Sequence, residues 1–415
     1  MDGLFLAPQR VSPFFHKIFA YGHYYEEKKP LLSFRREKAD ERWVLPMKFS
    51  CEKALLQSAI STTSRAVSSK SSIPALMGIL LEAENDLRLT GYNLETGIRT
   101  SVPAQITSTG SLVLEARLFG DIIRKLPDDM VTISTDNLTV HIECGMSSFN
   151  IQGIDPEEFP ELPTVEYQNT IQLQQGVLKS MISQTLFAVS TNESRPIHTG
   201  SLFEVDESGL TVVSVDGYRL ALRREAVDKI EGAESFSFVV PGSALSEVEK
   251  ICSGEGPVTI SQGARHILLQ AGETLLVCRR LEGEFLAYRN AIPRNNPIQV
   301  ECDARTLLAS IDRVSLIISE KLKSPLRCVF GDGMVSITTK TGIGDAADQC
   351  PITGDGQNLE IGFNNKYLMD ALKAAPADKL KLEFSSGVAP CVILPAEGEE
   401  NFIYMVLPVR LKAGN

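Results

Sequence analysis

Val212 to Arg224, VVSVDGYRLALRR, sets an acid, an aromatic ring and a guanidinium side by side at Asp216, Tyr218 and Arg219. Catalysis would need a cluster of nucleophile, base or metal ligands, and Asp216, Arg219 and His198 upstream offer no nucleophile partner. The chain has no GxSxG elbow, no GxxxxGK[ST] loop and no GxGxxG after a strand, and its five histidines fall at neither HExxH nor CxxC…H spacing. No catalysis, metal or cofactor is therefore expected. Recognition fits the residues better. Gly217 removes bulk beside a binding floor, Tyr218 and Leu220 offer apolar area, and Arg219 carries fixed donors for carbonyls or a carboxylate. The plainer reading makes Tyr218 an ordinary strand aromatic.

The elements that must position these residues follow from the alternation around them. Valines and leucines on either side read as two strands, with Asp216-Gly217 as a two-residue type I′ turn whose positions both need positive φ. LRLTGYNLETGIR, Leu87 to Arg99, echoes the stretch upstream, with GYNL at Gly91 to Leu94 as the equivalent turn, lacking the arginine and serving packing. The echo belongs to a longer period. From Phe49, apolar residues fall at Cys51, Leu56 and Ile60; from Ile171, at Leu173, Leu178 and Ile182; from Val300, at Cys302, Leu307 and Ile311. A strand pair, a second helix and two further strands follow each start. Units of this length are whole domains, each α+β with two helices on antiparallel strands. The domains are placed at 47–167, 168–297 and 298–415, with linkers near Pro163 to Asn169 and Arg294 to Ile298.

Residues 1–46 stand apart, holding nine of the 28 aromatics, including Trp43. They lack the h-region of a signal peptide, and MKFSCEKALL from Met47 opens a clean strand and helix, so 1–46 read as an appendage outside the fold. No apolar run is long enough for a membrane span. The eight cysteines (Cys51, Cys144, Cys252, Cys278, Cys302, Cys328, Cys350, Cys391) form no CxxC pair and read as reduced thiols of a cytoplasmic protein.

Three such repeats, the central DGYRL, EFLAY…IP (Glu284 to Pro293) and YMVLPVRL (Tyr404 to Leu411) together resemble the bacterial DNA polymerase III β-subunit family, the sliding clamps, over Met47 to Leu411. The resemblance implies a homodimer of three-domain subunits closed head to tail around double-stranded DNA, contacted without regard to sequence. Its partners would be the polymerase III α subunit, the clamp loader and other proteins carrying a clamp-binding motif. It implies a peptide groove built from His198, Val215, Gly217, Tyr218, Arg219 and Leu220, from Leu286 and Ala291, from Asn364 and Tyr367, and from Val388 and Pro390. Met405, Val406, Leu407, Pro408, Val409 and Arg410 complete it. Leu286-Ala287 stands where the family commonly has Pro-Asp, and His198 where an aliphatic residue is usual. The resemblance also implies DNA contacts at Lys70 and Arg195, and a subunit interface pairing Phe149 and Ile151 with the partner subunit's residues at the positions of Leu316 and Ile317. Without it, YMVLPVRL reads as a terminal edge strand that its proline keeps from further pairing.

Charge can be weighed independently. The net charge is −11, and −13 without residues 1–46. The predicted helical segments 51–70, 114–127, 174–190, 241–252, 303–323 and 364–375 nevertheless carry 14 Lys/Arg against nine Asp/Glu, Lys321 and Lys323 included. Arg117, Arg124, Lys125, Lys179, Lys250, Arg305 and Lys373 are the helical candidates for phosphate contact. A basic helical lining inside an acidic shell suits a channel for a polyanion. The alternative is a three-domain ring or adaptor that never meets DNA.

Overall fold

The computed structural model describes residues 46–411 apart from 253 and 320–323, so residues 1–45 of the 1–46 appendage, Lys321 and Lys323 lie outside the described residues. The described helices run in chain order as α1 (Lys53–Thr63), α2 (Ala116–Lys125), α3 (Gln175–Thr185), α4 (Gly242–Ile251), the short α5 (Tyr288–Ala291), α6 (Ala304–Ser315) and α7 (Asn365–Ala374). Strands Lys48–Glu52, Tyr167–Gln174 and Ile298–Asp303 lead without a loop into α1, α3 and α6. The strand-then-helix start therefore recurs three times, as the apolar spacing requires.

The helices are shorter than the predicted segments. Each strand keeps extended backbone up to the residue before the helix, which removes the first positions. At the far ends of α1 and α3, Thr63 and Thr185 turn their hydroxyls back onto Ala59 O (2.9 Å) and Met181 O (2.8 Å). The chain then tightens into 3-10 turns at Ser64–Ala66 and Leu186–Ala188. Shortening leaves the charge excess intact: the six long helices carry ten Lys/Arg against five Asp/Glu.

Among the described residues, two of the three sheets cross domain boundaries. A nine-stranded sheet continues from Thr274–Arg279 of the second repeat into Thr96–Val102 of the first, and a ten-stranded sheet from Arg219–Glu225 of the second into Phe402–Val406 of the third. The third sheet has five strands, and Ser147–Gln152 forms one of its edges. Phe402–Val406 pairs on both sides, with Arg219–Glu225 and with Cys391–Pro395, so the YMVLPVRL segment opens as an interior strand and not as an edge.

A large apolar core fills each repeat, and a smaller cluster sits at each internal junction. All eight cysteines are buried and free, and burial pushes the thiols of Cys278, Cys302 and Cys328 up to about 12, so they pack as neutral groups. No described helix is long and apolar enough to cross a membrane.

Candidate functional site

The DGYRL turn lies at the junction of the second and third repeats, one residue away from its predicted register. Val215 pairs with Leu220 and Asp216 N donates to Arg219 O (3.3 Å), so Gly217 and Tyr218 are the two central residues. Only Gly217 has positive φ, at 90°, which excludes type I′. The cause is the Asp216 carboxylate: Oδ1 accepts from Tyr218 N (2.9 Å) and Arg219 N (3.0 Å), an arrangement that keeps Asp216 extended and leaves the left-handed position to glycine.

The upstream echo is real but also shifted. Asn93 Oδ1 accepts from Glu95 N (3.0 Å) and Thr96 N (2.8 Å), so Asn93 matches Asp216, Leu94 (φ 73°) matches Gly217, and Thr96 stands where Arg219 does. Gly91 belongs to the strand Leu87–Tyr92, where a Cβ would collide with Thr63 O; close approach explains it, and packing is its role. A third copy occurs at Thr341, whose Oγ1 accepts from Ile343 N (3.3 Å).

Around the central turn the structure brings together most of the expected groove. Its floor is Val215, Leu220 and Met405, all buried, with Ala291 and Leu407 packed against them. Tyr218 is 61% exposed and stacks on Tyr367 at 5.8 Å, while its carbonyl accepts from Leu407 N (2.9 Å). Asn364 caps α7 by accepting from Lys366 N (3.0 Å) and Tyr367 N (3.4 Å), which fixes where the Tyr367 ring emerges. Leu286 and Val388 are exposed apolar side chains, Pro390 and Pro408 are half-buried, and Val406 is fully buried in the sheet. Val409 N reaches Gly362 O (2.8 Å), leaving Arg410 exposed beyond it.

His198 sits in the turn Pro196–Thr199 with its ring edge-on to Phe285 at 5.5 Å. Burial, with Arg195 adding to it, holds its imidazole below the ordinary value. The segment carrying Leu286 is anchored by Glu204, which accepts from the Tyr288 hydroxyl and from Arg289 Nη1 (3.1 Å) and Nη2 (2.8 Å). Burial and that carboxylate push the Tyr288 phenol up. A cavity of about 760 Å³ lies alongside, lined by Leu202, Val239, Leu281, Phe285 and Leu286 among others.

Arg219 is only 8% exposed, its Nε donating to Asp216 Oδ2 (2.9 Å) and its Nη1 to Asp370 Oδ2 (2.6 Å). Asp370, Phe187 and the Glu204 anchor were missed from sequence. Only the repeat could have found Asp370: it is the sixth residue of α7, as Glu247 is of α4, and Glu247 also meets an arginine across a junction, Arg65 at 3.4 Å.

The expected DNA contacts Lys70, Arg195, Arg117, Arg124, Lys125, Lys179, Lys250, Arg305 and Lys373 are all exposed. Three carry intrachain pairs: Arg124 with Asp121, Lys250 with Glu247 (2.8 Å), and Arg305 with Asp378 (3.4 Å). Phe149 is 37% exposed and Ile151 half-buried on the strand Ser147–Gln152, and Leu316 is 81% exposed with Ile317 half-buried just after α6. No cluster of metal-ligating side chains occurs among the described residues.

Three family models match in order: the DNA polymerase III β-subunit N-terminal domain at residues 47–163, central domain at 172–286 and C-terminal domain at 289–410. The Staphylococcus aureus beta sliding clamp is 34% identical over 377 residues, covering 88% of this chain and 99% of that protein. The Bacillus subtilis DNA polymerase sliding clamp superposes with a TM-score of 0.83 at 31% identity, and the Pseudomonas aeruginosa clamp bound to griselimycin with 0.83 at 25%. Each covers 88% of this chain and 100% of its own.

Proposed function

The chain belongs to the DNA polymerase III β-subunit family of sliding clamps, processivity factors of DNA replication, and from that premise we propose that two copies close head to tail around duplex DNA and hold clients in the groove beside Tyr218. Clamp domains at 47–167, 168–297 and 298–415 form each half of the ring. The observation that carries the closure is a joint built twice within the chain and left open once. At the first junction Ala66 lies fully buried in the second repeat's core, and Leu276 pairs with Ile98. At the second, Ala188 lies in the third repeat's core, Tyr404 pairs with Ala221, and Phe187 meets Tyr404 edge-on at 5.3 Å. Counting from the helix starts, Leu316 and Ile317 occupy the positions of Phe187 and Ala188, while Phe149 occupies that of Leu276 and Tyr404. These unmatched halves lie at opposite ends of the chain's domain order, so a second copy completes both.

DNA would pass against the helices. Weak, sequence-blind contacts from exposed Lys and Arg such as Lys70 and Arg195 suit sliding, because base-reading pairs would create stops. Clients, among them the polymerase III α subunit and the clamp loader, would insert a short apolar segment over Met405, Leu407 and Tyr218, an affinity on the order of micromolar. The Pseudomonas aeruginosa clamp binds griselimycin, so competition between griselimycin and a client peptide on this chain tests whether the two share a site. Sedimentation tests the closure: a particle near twice 45.4 kDa is expected at micromolar concentration, and a monomer there rejects it.

A further inference from the structure

We propose that Asp370 is a positioning residue for client binding: it holds Arg219 beneath the groove, and Arg219 in turn sets the Tyr218–Tyr367 wall without touching the client. The inference rests on the groove reading above. Two aromatic rings and two carboxylates surround the guanidinium. Its carbon lies 4.6 Å from the centre of the Tyr367 ring and 5.4 Å from that of Phe187, Nε is taken by Asp216, and Nη1 by Asp370. Such a group is a strut and not an open donor set.

The strut crosses the domain boundary. Asp216 and Arg219 belong to the second repeat, Asp370 and Tyr367 to α7 of the third, and Phe187 to the turn that follows α3. Asp370 follows Tyr367 by three residues on α7, so both face the same side of the helix. The Tyr367 ring is thus in contact with Arg219 and stacked on Tyr218. Glu247 and Asp121 hold the same helix position in α4 and α2, yet they pair with Arg65 and Arg124, neither of which lies in a strand turn. Among the three, the carboxylate of α7 alone reaches the turn that carries an exposed aromatic ring.

Neutralising Asp370 removes one of the two carboxylates that hold a buried guanidinium, which loosens the guanidinium and the ring it supports. The test is a mutant cycle read by anisotropy of a fluorescent Gln-Leu-Xaa-Leu-Phe peptide on the full-length chain. Asp370→Asn is expected to weaken binding about tenfold, and Arg219→Ala at least as much. The variant with both changes should bind no more weakly than Arg219→Ala alone, because Asp370 acts only through Arg219. Asp370→Glu should recover part of the loss, with sedimentation and melting checking that each variant is folded. Failure of the unsubstituted chain to bind would reject the groove itself. Binding by that chain with Asp370→Asn unchanged, or losses that multiply in the combined variant, would overturn the role of Asp370. Should Asp370→Asn not fold, the same cycle run with Asp370→Glu decides: a loss that vanishes in the Arg219→Ala background supports the role, and unchanged binding overturns it.

Discussion

The two internal junctions use one backbone plan, yet among the described residues only the hairpin turn at the second carries an exposed aromatic ring. In both, a strand of one repeat pairs with a strand of the next, and a three-residue turn buries its alanine in the neighbouring core. At the first junction Tyr92, only 7% exposed, fills the floor position that Val215 holds at the second. Gly97 receives the Leu162 side chain of the linker where the second junction has Leu220. Leu94 and Glu95 then stand where Gly217 and Tyr218 do, with no aromatic ring offered to solvent. At the first junction the linker's Leu162 packs onto the floor and the linker borders a cavity of about 820 Å³; the second exposes Tyr218, Val388 and Leu286 at its turn. A few floor and turn residues, on an unchanged fold, separate the first joint from the second, where we propose that clients bind.

Breaking the joint proposed between subunits should have the largest effect. Leu316→Ala with Ile317→Ala should cost roughly 4 kcal/mol or more per interface and give monomers by sedimentation. Next comes the groove. Tyr218→Ala with Leu407→Ala should weaken peptide binding about a hundredfold, measured by anisotropy, and leave the dimer intact. Met405 is a poorer probe, being 6% exposed and part of an interior strand, so its truncation also costs folding stability.

The comparison itself can be sharpened by Val215→Tyr, which copies the floor residue of the first junction. It should abolish binding of the peptide while costing about 1–3 kcal/mol of stability from overpacking, read from denaturant midpoints, with the dimer retained. Smaller still, Lys70→Ala or Arg195→Ala should lower DNA affinity equally for all sequences and reduce the salt slope by about one.

The smallest expected effect concerns pH. The folded chain holds His198 below its ordinary 6.5, so the unfolded chain takes up that proton first. Stability is then unaffected above about pH 6.5 and falls as pH drops below it, until the folded ring protonates too. His198→Gln should flatten part of that slope in denaturant midpoints taken between about pH 7 and 5.5, with His266, shifted the same way, accounting for more of it.

The threefold repeat was legible because apolar spacing at each start is imposed by burial: Leu56, Leu178 and Leu307 all face cores. The groove's central turn was legible because an exposed aromatic and an arginine have no reason to follow a plain hairpin. Its register was not, since the Asp216 carboxylate, and not glycine placement, decides which residues occupy the turn. Arg219 pointed to binding, while its half-buried partner Asp370 gave no local signal, lying 151 positions away in the chain. Whether YMVLPVRL is edge or interior depends on a strand of another repeat, a pairing that no local pattern encodes.

Retention on DNA tests the central claim most directly. With the protein loaded on nicked circular duplex by a clamp loader, then separated by gel filtration at a salt concentration that removes ordinary phosphate contacts, the dimer should stay with the circles. Cutting the same DNA once should release it from the ends. Equal retention on cut and uncut DNA, or loss from both, would contradict a closed ring that slides.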